Sequence, residues 1–430
     1  MNTPKSTRRA FLKTTGVAIG MPMIVPSSVL GLNGKTAPSN RIVLGGIGLG
    51  PRGRKVLDAF FKHKDCQFIA IADPQKERRE IIKRLADRNY DNKDCVTYDD
   101  MSGVLERDDI DGVIIATGDR WHTTASIYAA RAGKDIYCEK PCAMNIQECQ
   151  ELDDTIQKHK RVFQAGTQRR SVPNFRLAVD IAREGKLGQL QEVHAGILQL
   201  QEYLDHLPEE PMPDPADINW DKWVGPAPML PFNKKYCVNS RWRNHRGLYA
   251  AWRLPEWGSH TIDVCQWAAD ADGTAPVEYE AKSDSLIEAK YKNGVKLVMS
   301  LSSRNGEAGW TPGLGSCPVK FVGDEGWVEA GDFKLMATSN PKLLKGKTYD
   351  QITGTDPVMH VRNFLDCVKT REQPVCNSKA VRYGHMACFA AAISWKLGRP
   401  VKFDPVKEEF IGDKEANKMR FYKRRAPYTI

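Results

Sequence analysis

Residues 41–53 read RIVLGGIGLGPRG, and this stretch decides the fold. A largely apolar run, typical of a buried strand, leads into a turn with the pattern G-x-G-x-x-G. The first glycine permits a tight bend, the second lets a pyrophosphate approach the backbone, and the third lets the next helix pack closely on the strand. Because that helix would aim unpaired N–H groups at the turn, the pattern predicts a dinucleotide site. The residues predicted to form it are Gly48, Leu49, Gly50, Arg52 and Gly53.

Strand-like and helix-like segments alternate after this turn. Apolar runs predict strands at residues 67–72, 112–116 and 135–138, and an amphipathic stretch at 145–158 predicts one of the helices between them. Continuous apolar strands that alternate with helices are typical of a parallel sheet covered on both faces. The sequence therefore predicts the α/β class, with a doubly wound Rossmann domain over residues 37–165.

Asp73 closes the second predicted strand, 20 residues after Gly53. A carboxylate at that place binds the hydroxyls of an adenosine ribose and repels a 2′-phosphate, which favours NAD over NADP. The same residue precedes Pro74, where a helix N-cap would also fit. Lys76 and Arg78 follow closely, so the sequence leaves NADP open.

The strand predicted at residues 135–138 runs directly into Glu139-Lys140-Pro141. Ligands of doubly wound sheets bind at the carboxyl ends of the strands, which is where Lys140 falls. An ammonium group beside a bound nicotinamide can hydrogen-bond a substrate hydroxyl and stabilise a developing alkoxide. The string alone fits a surface lysine in a Glu–Lys pair equally well.

The pattern changes in the second part of the chain, residues 166–430. A KNG turn at residues 292–294 is a hairpin-type turn inside a strand-like run. Strands are predicted at residues 193–201, 289–301 and 319–330. Two helices, at 361–369 and near 387–395, are expected to pack on this second, α+β domain.

The net charge of +10 is concentrated at the N-terminus. The first forty residues hold five lysines and arginines and no acidic residue, so the rest carries +5, without the basic stripe that nucleic-acid binding requires. Residues 6–13 read STRRAFLK and precede an apolar stretch broken by prolines, as in a twin-arginine export signal; a disordered basic tail is the alternative. We expect a leader over residues 1–36 and an exported, periplasmic protein without stable membrane insertion.

Eleven cysteines are scattered along the chain, with no CxxC pair or Cys/His cluster in the sequence. This spacing argues against a zinc site. A chain that can build a large core also has little need of a disulfide framework. We therefore expect no metal and mostly buried thiols.

Beyond the glycine turn, six further strings form one recognisable set. They are Glu139-Lys140-Pro141, Ala116-Thr117, Trp121-His122, Gly166-Thr167-Gln168-Arg169-Arg170, Trp220-Asp221-Lys222-Trp223 and Trp257-Gly258-Ser259-His260. Together they resemble the Gfo/Idh/MocA family, which includes glucose–fructose oxidoreductase and inositol dehydrogenase. The resemblance runs from about residue 41 to the C-terminus and is closest to the exported members.

The resemblance implies a second domain with a large, mostly antiparallel sheet whose open face makes contacts in a homo-oligomer, a dimer or tetramer. It implies that Glu139 contacts the nicotinamide ribose and that Lys140 is catalytic. The further cofactor-binding residues that it implies are Thr117, Trp121, His122 and Gln168.

The family draws a general base from an Asp-x-x-x-His pair, matched here by Glu256 and His260. Positions i and i+4 share one helix face, so the carboxylate is expected to orient the imidazole. Glutamate is one methylene longer than the usual aspartate, which leaves Asp263 as an alternative partner. Without the family, a hydrogen-bonded core histidine would explain His260. A second departure is Gly118, where the family often has proline.

Six of the ten tryptophans lie from Trp220 to Trp267, a region that overlaps the proline-rich stretch at residues 208–231. Indole faces stack on sugar rings, and arginines bond sugar hydroxyls. The residues predicted to bind a substrate are Arg169, Arg241, Trp242, Arg243 and Asp263. The alternative is a proline-stiffened loop held by buried tryptophans.

Together these features predict an enzyme that moves a hydride between a tightly bound NAD(P) and a sugar or cyclitol. Export would separate the enzyme from soluble NAD, so a bound and recycled cofactor is expected. A redox-neutral, glycoside-cleaving enzyme of the same family is the second hypothesis. A non-catalytic sugar-binding protein is the third, and the intact Lys140 and His260 speak against it.

Overall fold

A computed structural model describes most of the chain, and residues 42–430 form one compact unit. The described residues are 40–238, 242–243, 245, 248, 251–302, 309–333, 336–345 and 356–430. The predicted leader over residues 1–36 lies outside them, as does Arg241.

The first layer of the fold is a six-stranded sheet in which every pairing is parallel. Its strands are β1 (Ile42–Ile47), β2 (Cys66–Ala72), β3 (Val96–Tyr98), β4 (Gly112–Ile115), β5 (Asp135–Cys138) and β6 (Phe163–Ala165). The spatial order β3-β2-β1-β4-β5-β6 reverses between β1 and β4. Ligands bind at such a reversal, beyond the carboxyl ends of the strands.

Helices cover both faces of this sheet, because each face carries its own cluster of buried apolar side chains. The helices are α1 (Pro51–Phe61), α2 (Lys76–Tyr90), α3 (Ser102–Leu105), α4 (Asp119–Arg131) and α5 (Ile146–His159). Asn145 caps α5 by accepting the backbone N–H of Glu148 at 3.0 Å. The alternation of strands and helices confirms the predicted doubly wound α/β arrangement.

The second layer is a nine-stranded mixed sheet. Its strands are β7 (Leu190–Leu198), β8 (Glu278–Ser283), β9 (Leu286–Lys290), β10 (Lys296–Ser302), β11 (Val319–Gly323), β12 (Gly326–Ala330), β13 (Met336–Thr338), β14 (Val401–Asp404) and β15 (Glu409–Phe410). The order is β13-β12-β11-β7-β10-β9-β8-β14-β15. Only the β7–β10 pairing among these described strands is parallel. The large, mostly antiparallel sheet is therefore confirmed.

Two of the predicted strands prove to be hairpins. The run at residues 289–301 folds as β9 and β10 around the KNG turn, where Gly294 has φ +94°. The run at 319–330 folds as β11 and β12, with Gly326 closing the turn between them. The turn residues predict the first hairpin, whereas the second has no such turn pattern, which is why the sequence predicts one strand there.

Six further α-helices occur among the residues that the structure describes. They are α6 (Pro173–Arg183), α7 (Trp220–Val224), α8 (Leu254–Ala268), α9 (Val358–Thr370), α10 (Ser378–Leu397) and α11 (Lys414–Lys418). Helices α8 and α10 contribute buried faces to the core beneath the nine-stranded sheet. The α8 helix therefore carries its His260 from that core toward the first layer.

The position of α9 corrects one prediction. This helix was expected on the second domain, but it packs on α1 beside the first sheet. Its Phe364 meets Phe60 and Tyr137 edge-on, with ring centroids 6.1 and 6.0 Å apart. Aromatic edge contacts and apolar burial, rather than position in the chain, thus determine which sheet α9 packs beside.

The eleven cysteines are all buried and none forms a disulfide. No cluster of three or more metal-ligating side chains occurs within the described part of the chain. Across the same residues, no helix is long and apolar enough to cross a bilayer.

Replacing Phe364 with alanine should lower the free energy of unfolding by about 3–5 kcal/mol, because the change opens a cavity between α9 and α1. Urea unfolding followed by circular dichroism measures this loss. Phe421, 54% exposed, is the matched control, and its alanine variant should stay within about 1 kcal/mol of the parent. Equal losses from both variants would contradict the placement of α9.

Candidate active site

The glycine-rich turn is shaped for close approach of a ligand. Gly48 has φ +65°, and a Cβ there would lie 2.4 Å from Thr117 Cγ2, just past β4. Helix α1 then starts at Pro51, with Gly50 as its N-cap and no capping side chain. Its first N–H groups are therefore available to an anion. The turn has the geometry of a pyrophosphate cradle.

A cleft of about 1000 Å³, including its open mouth, runs along this turn. Its walls come from the ends of β1, β2 and β4 and from the tryptophan-rich region. Residues that line it include Gly48, Asp73, Thr117, Arg120, Trp223 and Trp242. The cleft is thus at the order reversal of the sheet, where a dinucleotide is expected.

Asp73 is buried in the wall of this cleft, just past β2. Its Oδ1 accepts the backbone N–H of Gln75 at 2.9 Å, and Gln75 is the N-cap of α2. The N-cap alternative for Asp73 is therefore wrong. Burial raises the pKa of Asp73 to about 6, so hydrogen bonds from a ribose would favour the charged carboxylate.

Glu139 is held rigidly at the end of β5. Its Oε1 accepts hydrogen bonds from Arg52 Nε at 3.0 Å and Gln168 Nε2 at 3.1 Å. The carboxylate packs on Gly166, where a Cβ would lie 2.7 Å away. Its buried Oε2 meets no hydrogen-bond donor among the described residues, so it can accept a ribose hydroxyl.

Lys140 extends from the end of β5 to the start of α8. Its Nζ donates to the carbonyl oxygen of Glu256 at 2.6 Å, and the Trp257 ring centroid lies 6.0 Å away. Burial lowers the pKa of Lys140 from its usual value. The side chain is still partly exposed, which leaves the ammonium group within reach of a substrate oxygen.

His260 is buried on α8, near the positive charges of Lys140 and Arg169. Burial and these charges hold the pKa of His260 well below its usual value. Its Nδ1 has no hydrogen-bond partner in the part of the chain that the structure describes. The imidazole is therefore neutral at physiological pH and able to accept a proton.

The structure does not bring either predicted carboxylate to this imidazole. Glu256 instead pairs with Arg243 and Arg253, each at 2.8 Å, and these charges lower its pKa against the opposing effect of burial. Asp263 forms a two-pronged ion pair with Arg170, at 2.7 and 2.8 Å. Both carboxylates thus form ion pairs with arginines and not with His260.

Apart from Asp263, the predicted substrate residues that the structure describes lie in two separate places. Arg169 pairs with Asp332 through two bonds, at 3.0 and 2.7 Å, in the interior of the protein. Trp242 and Arg243 line the cleft along the glycine turn rather than a separate sugar pocket. Arg241 lies outside the described residues.

The tryptophan-rich region forms its own small core over the cleft. Trp220 and Trp223 stack with centroids 4.6 Å apart, and Phe232 and Tyr236 are buried beside them. We call residues 220–237 together with Trp242 the covering segment. Trp220 and Trp223 are buried and hold the loop, as the alternative to sugar binding predicted. The covering segment also forms part of the wall of the cleft.

The remaining predicted cofactor residues differ in their access to the cleft. Thr117 and Trp121 line it, and the Trp121 indole N–H donates to the carbonyl of Lys222 at 2.9 Å. Leu49 is fully buried beneath the turn, so that only its backbone is suited to a ligand. His122 is buried, with Nδ1 2.6 Å from the carbonyl of Pro141.

Two residues at the start of α4 were missed by the sequence analysis. Asp119 is buried with Oδ2 unpartnered among the described residues, and burial raises its pKa to about 7. Arg120 is buried beside it and lines the cleft. Both open the helix that begins four residues after the end of β4, so the rule that ligands bind beyond the carboxyl ends of strands could have found them.

The fold and this site define an oxidoreductase with an NAD-binding Rossmann layer: a glycine cradle, an acidic residue past β2 and a lysine past β5. More particularly, the chain belongs to the Gfo/Idh/MocA oxidoreductase family. The model of the family's NAD-binding Rossmann fold matches residues 41–167, and that of its C-terminal α/β domain matches residues 203–430. NAD is thus the cofactor of this fold, as Asp73 predicted.

Similar proteins include enzymes of different activities. The 2,7-anhydro-N-acetylneuraminate hydratase of Mediterraneibacter gnavus is 28% identical over 149 residues, 35% of this chain and 37% of that protein. A glycosyl hydrolase family 109 protein of Shewanella sp. (strain W3-18-1) is 30% identical over 167 residues, 38% of this chain and 36% of that protein. The chain thus matches under half of the length of each relative.

A solved structure shows the shared fold. Levoglucosan dehydrogenase in complex with NADH and levoglucosan superposes with a TM-score of 0.61 at 16% identity. The match covers 84% of this chain and 99% of that protein.

Replacing Asp73 with asparagine should stabilise the nucleotide-free protein at pH 8 by on the order of 1–3 kcal/mol. A carboxyl whose pKa rises on folding to about 6 favours the folded state at low pH, and that contribution is lost as the pH rises through 6. The gain should therefore shrink toward pH 4, while NAD binding weakens at pH 8. Urea unfolding at both pH values checks this, with exposed Asp284→Asn as control. A gain independent of pH would contradict it.

Proposed function

We propose that this chain is an NAD(P)-dependent oxidoreductase that transfers a hydride to or from a hydroxyl-bearing carbon of a sugar or cyclitol. The observation that carries the proposal is the pairing of a partly exposed ammonium group with a neutral imidazole. Lys140 and His260 supply these groups, and the charge of Lys140 acts on His260. Glu139, next to Lys140 in the chain, bonds Arg52, which lines the cleft.

The residues that would hold the cofactor fit its parts. The turn at residues 48–53 would receive the pyrophosphate, Asp73 the adenosine ribose, and the unpartnered Oε2 of Glu139 the nicotinamide ribose. When bound, the nicotinamide supplies the acceptor or donor of the hydride. Thr117 and Trp121 border the same cleft, and Gln168 fixes Glu139.

The chemistry of this chain's own residues is proton transfer and charge stabilisation. His260, being neutral, would remove the hydroxyl proton of the substrate as general base. Lys140 would donate a hydrogen bond to the same oxygen and stabilise the negative charge that develops on it. Its existing bond to the carbonyl of Glu256 fixes the ammonium group in place.

A carbohydrate substrate is supported by the aromatic wall near the lysine. The Trp257 ring lies 6.0 Å from Lys140 Nζ, and its buried Nε1 has no acceptor among the residues described. An indole with an available N–H suits a sugar, since the ring stacks on the apolar face and the N–H bonds a hydroxyl. The levoglucosan complex of a protein with the same fold agrees with this class of substrate.

We further propose that the protein is exported by the twin-arginine pathway and acts in the periplasm as a homo-oligomer. The string STRRAFLK at residues 6–13 supports export, and this pathway carries folded proteins with their cofactors. An exported enzyme cannot draw on soluble NAD. The cofactor is therefore retained and returned to its starting state within each cycle.

A second candidate is a redox-neutral glycoside-cleaving enzyme. The relatives named as a hydratase and as a glycosyl hydrolase favour it. In that reaction a substrate hydroxyl would lose a hydride to the nicotinamide, and the neighbouring C–H, now acidic, would lose its proton while the glycosidic oxygen leaves with a proton. Water would then add to the resulting double bond, and the hydride would return to the carbonyl carbon, so that the net reaction is hydrolysis. His260 would serve as the base for the C–H proton and Lys140 would steady the carbonyl oxygen.

Purified protein distinguishes the two candidates. A change in nicotinamide absorbance on addition of an aldose or cyclitol, without cleavage of an aryl glycoside, supports the oxidoreductase. Cleavage of the glycoside without net change in absorbance supports the second candidate. Neither response, with a protein that binds NAD, would indicate the sugar-binding function.

Replacing Lys140 with alanine should lower kcat about 100- to 10,000-fold, because the stabilised oxygen loses its donor. Bound NAD should be retained, which fluorescence of added NADH checks. Lys83→Met, which removes a surface lysine paired with Asp87, is the matched control and should leave kcat unchanged. Unchanged turnover in Lys140→Ala would rule out both enzymatic candidates at this residue.

The pH profile of kcat/KM reports the state of His260. The lowered pKa predicts an imidazole that is neutral throughout pH 6.5–8, so the acid limb of the profile should begin below pH 6.5. His260→Asn should remove that limb together with most of the activity. An acid limb that starts above pH 7 would show that His260 is not the base or is not held neutral.

A further inference from the structure

Arg120 is a buried arginine with an unused nitrogen. Its Nε and Nη2 donate to the carbonyl of Trp223 at 3.1 and 2.5 Å, and Nε also reaches the carbonyl of Val224 at 3.1 Å. Its Nη1 is buried and has no acceptor in the described part of the protein. Arg120 is only 3% exposed, so water does not compensate this nitrogen.

Aromatic rings hold the guanidinium in one orientation. Its Cζ lies 3.9 Å from the ring centroid of Trp223 and 5.6 Å from that of Trp242. None of these carbonyl and ring contacts carries a negative charge. The neighbouring carboxylate of Asp119 is the main charge that favours the guanidinium, but burial raises the pKa of Asp119 itself to about 7, so it compensates Arg120 only in part. Burial still lowers the pKa of Arg120 to about 10, and a buried cation in such surroundings is stabilised by a further anion.

The free nitrogen lies next to the phosphate cradle. Nη1 is 2.1 Å from the position that a Cβ on Gly118 would occupy, so it rests directly on the Gly118 backbone. Thr117, the preceding residue, packs against Gly48 of the glycine turn, since a Cβ built on Gly48 would lie 2.4 Å from Thr117 Cγ2. A continuous series of contacts therefore leads from the turn to Nη1, and Arg120 lines the same cleft.

We infer that Arg120 binds the pyrophosphate of the dinucleotide through Nη1, while its other nitrogens hold the covering segment. The inference rests on the proposed function, because it names a further residue of the same cofactor site. Helix α1 supplies N–H groups to the pyrophosphate from one side, and Arg120 supplies a full positive charge from α4. Glycine at position 118 is needed, because a side chain there would displace the guanidinium.

A second arginine has a parallel arrangement. Arg78 donates to the carbonyl of Cys237 at 2.6 Å, and its Nη1 is 2.8 Å from the position of a Cβ on Gly50. Each arginine thus joins the covering segment to a glycine beside the cradle. Both guanidinium groups would hold the covering segment against a bound dinucleotide, and this would slow release of the cofactor, as the proposed function requires.

Binding of ADP-ribose tests the inference, because this probe carries the pyrophosphate but no nicotinamide. Arg120→Gln should weaken ADP-ribose binding about 10- to 100-fold in calorimetric titrations, as expected for loss of a charge-assisted hydrogen bond. Gly118→Ala should weaken it about 10-fold or more while keeping every donor. Its φ of −77° suits alanine, so this variant tests the geometry even if Arg120→Gln folds poorly.

Arg425→Gln is the matched control, because Arg425 holds the covering segment from outside through the carbonyls of Gly225 and Ala227. It should bind ADP-ribose within about twofold of the parent. Equal losses in Arg120→Gln and Arg425→Gln, or none in Arg120→Gln and Gly118→Ala, would overturn the inference. A loss confined to NADPH, with ADP-ribose unaffected, would also overturn it by assigning Arg120 to a 2′-phosphate. Absence of ADP-ribose binding in the parent protein would instead overturn the proposed cofactor site.

Discussion

The contact between the turn after β1 and the turn after β4 sets the geometry on which the rest of the site depends. Gly48 lies against Thr117 so closely that a side chain would not fit, and its positive φ turns the backbone toward α1. This contact brings the start of α1 and the start of α4 to one edge of the sheet. The cradle, the cleft and the buried Arg120 all follow from that approach.

The placement of charges then determines which polar residues form ion pairs and which remain available for catalysis. The two carboxylates predicted to orient the imidazole are bound by arginines: Glu256 by Arg243 and Arg253, and Asp263 by Arg170. Burial, together with the nearby charges of Arg169 and Lys140, holds the pKa of His260 well below its usual value, so the imidazole is neutral as a base requires. The longer side chain of Glu256 is therefore used to reach arginines and not the histidine. Its carbonyl oxygen, which any residue offers, is what holds Lys140.

Local pattern predicted the first layer well because its determinants are local. The strand–turn–helix at residues 41–61, the acid at Asp73 and the lysine past β5 all depend on residues adjacent in the chain. Packing between distant parts of the chain could not be predicted from local pattern. Helix α9 packs on α1, far from it in the chain, and β14 and β15 are too short to show a clear alternation of apolar and polar residues. Partners of Arg169 and Asp263 were also hidden, since ion pairs join distant segments. The covering segment was recognised by its tryptophans, but its place over the dinucleotide cleft requires the fold.

A crystal structure of the protein soaked with NAD is the most direct test of the central claim. Electron density should show the pyrophosphate on residues 48–53. The nicotinamide should face Lys140, with room between them for one substrate oxygen. A dinucleotide bound elsewhere, or a Lys140 side chain turned to bulk solvent away from the ring, would contradict the account.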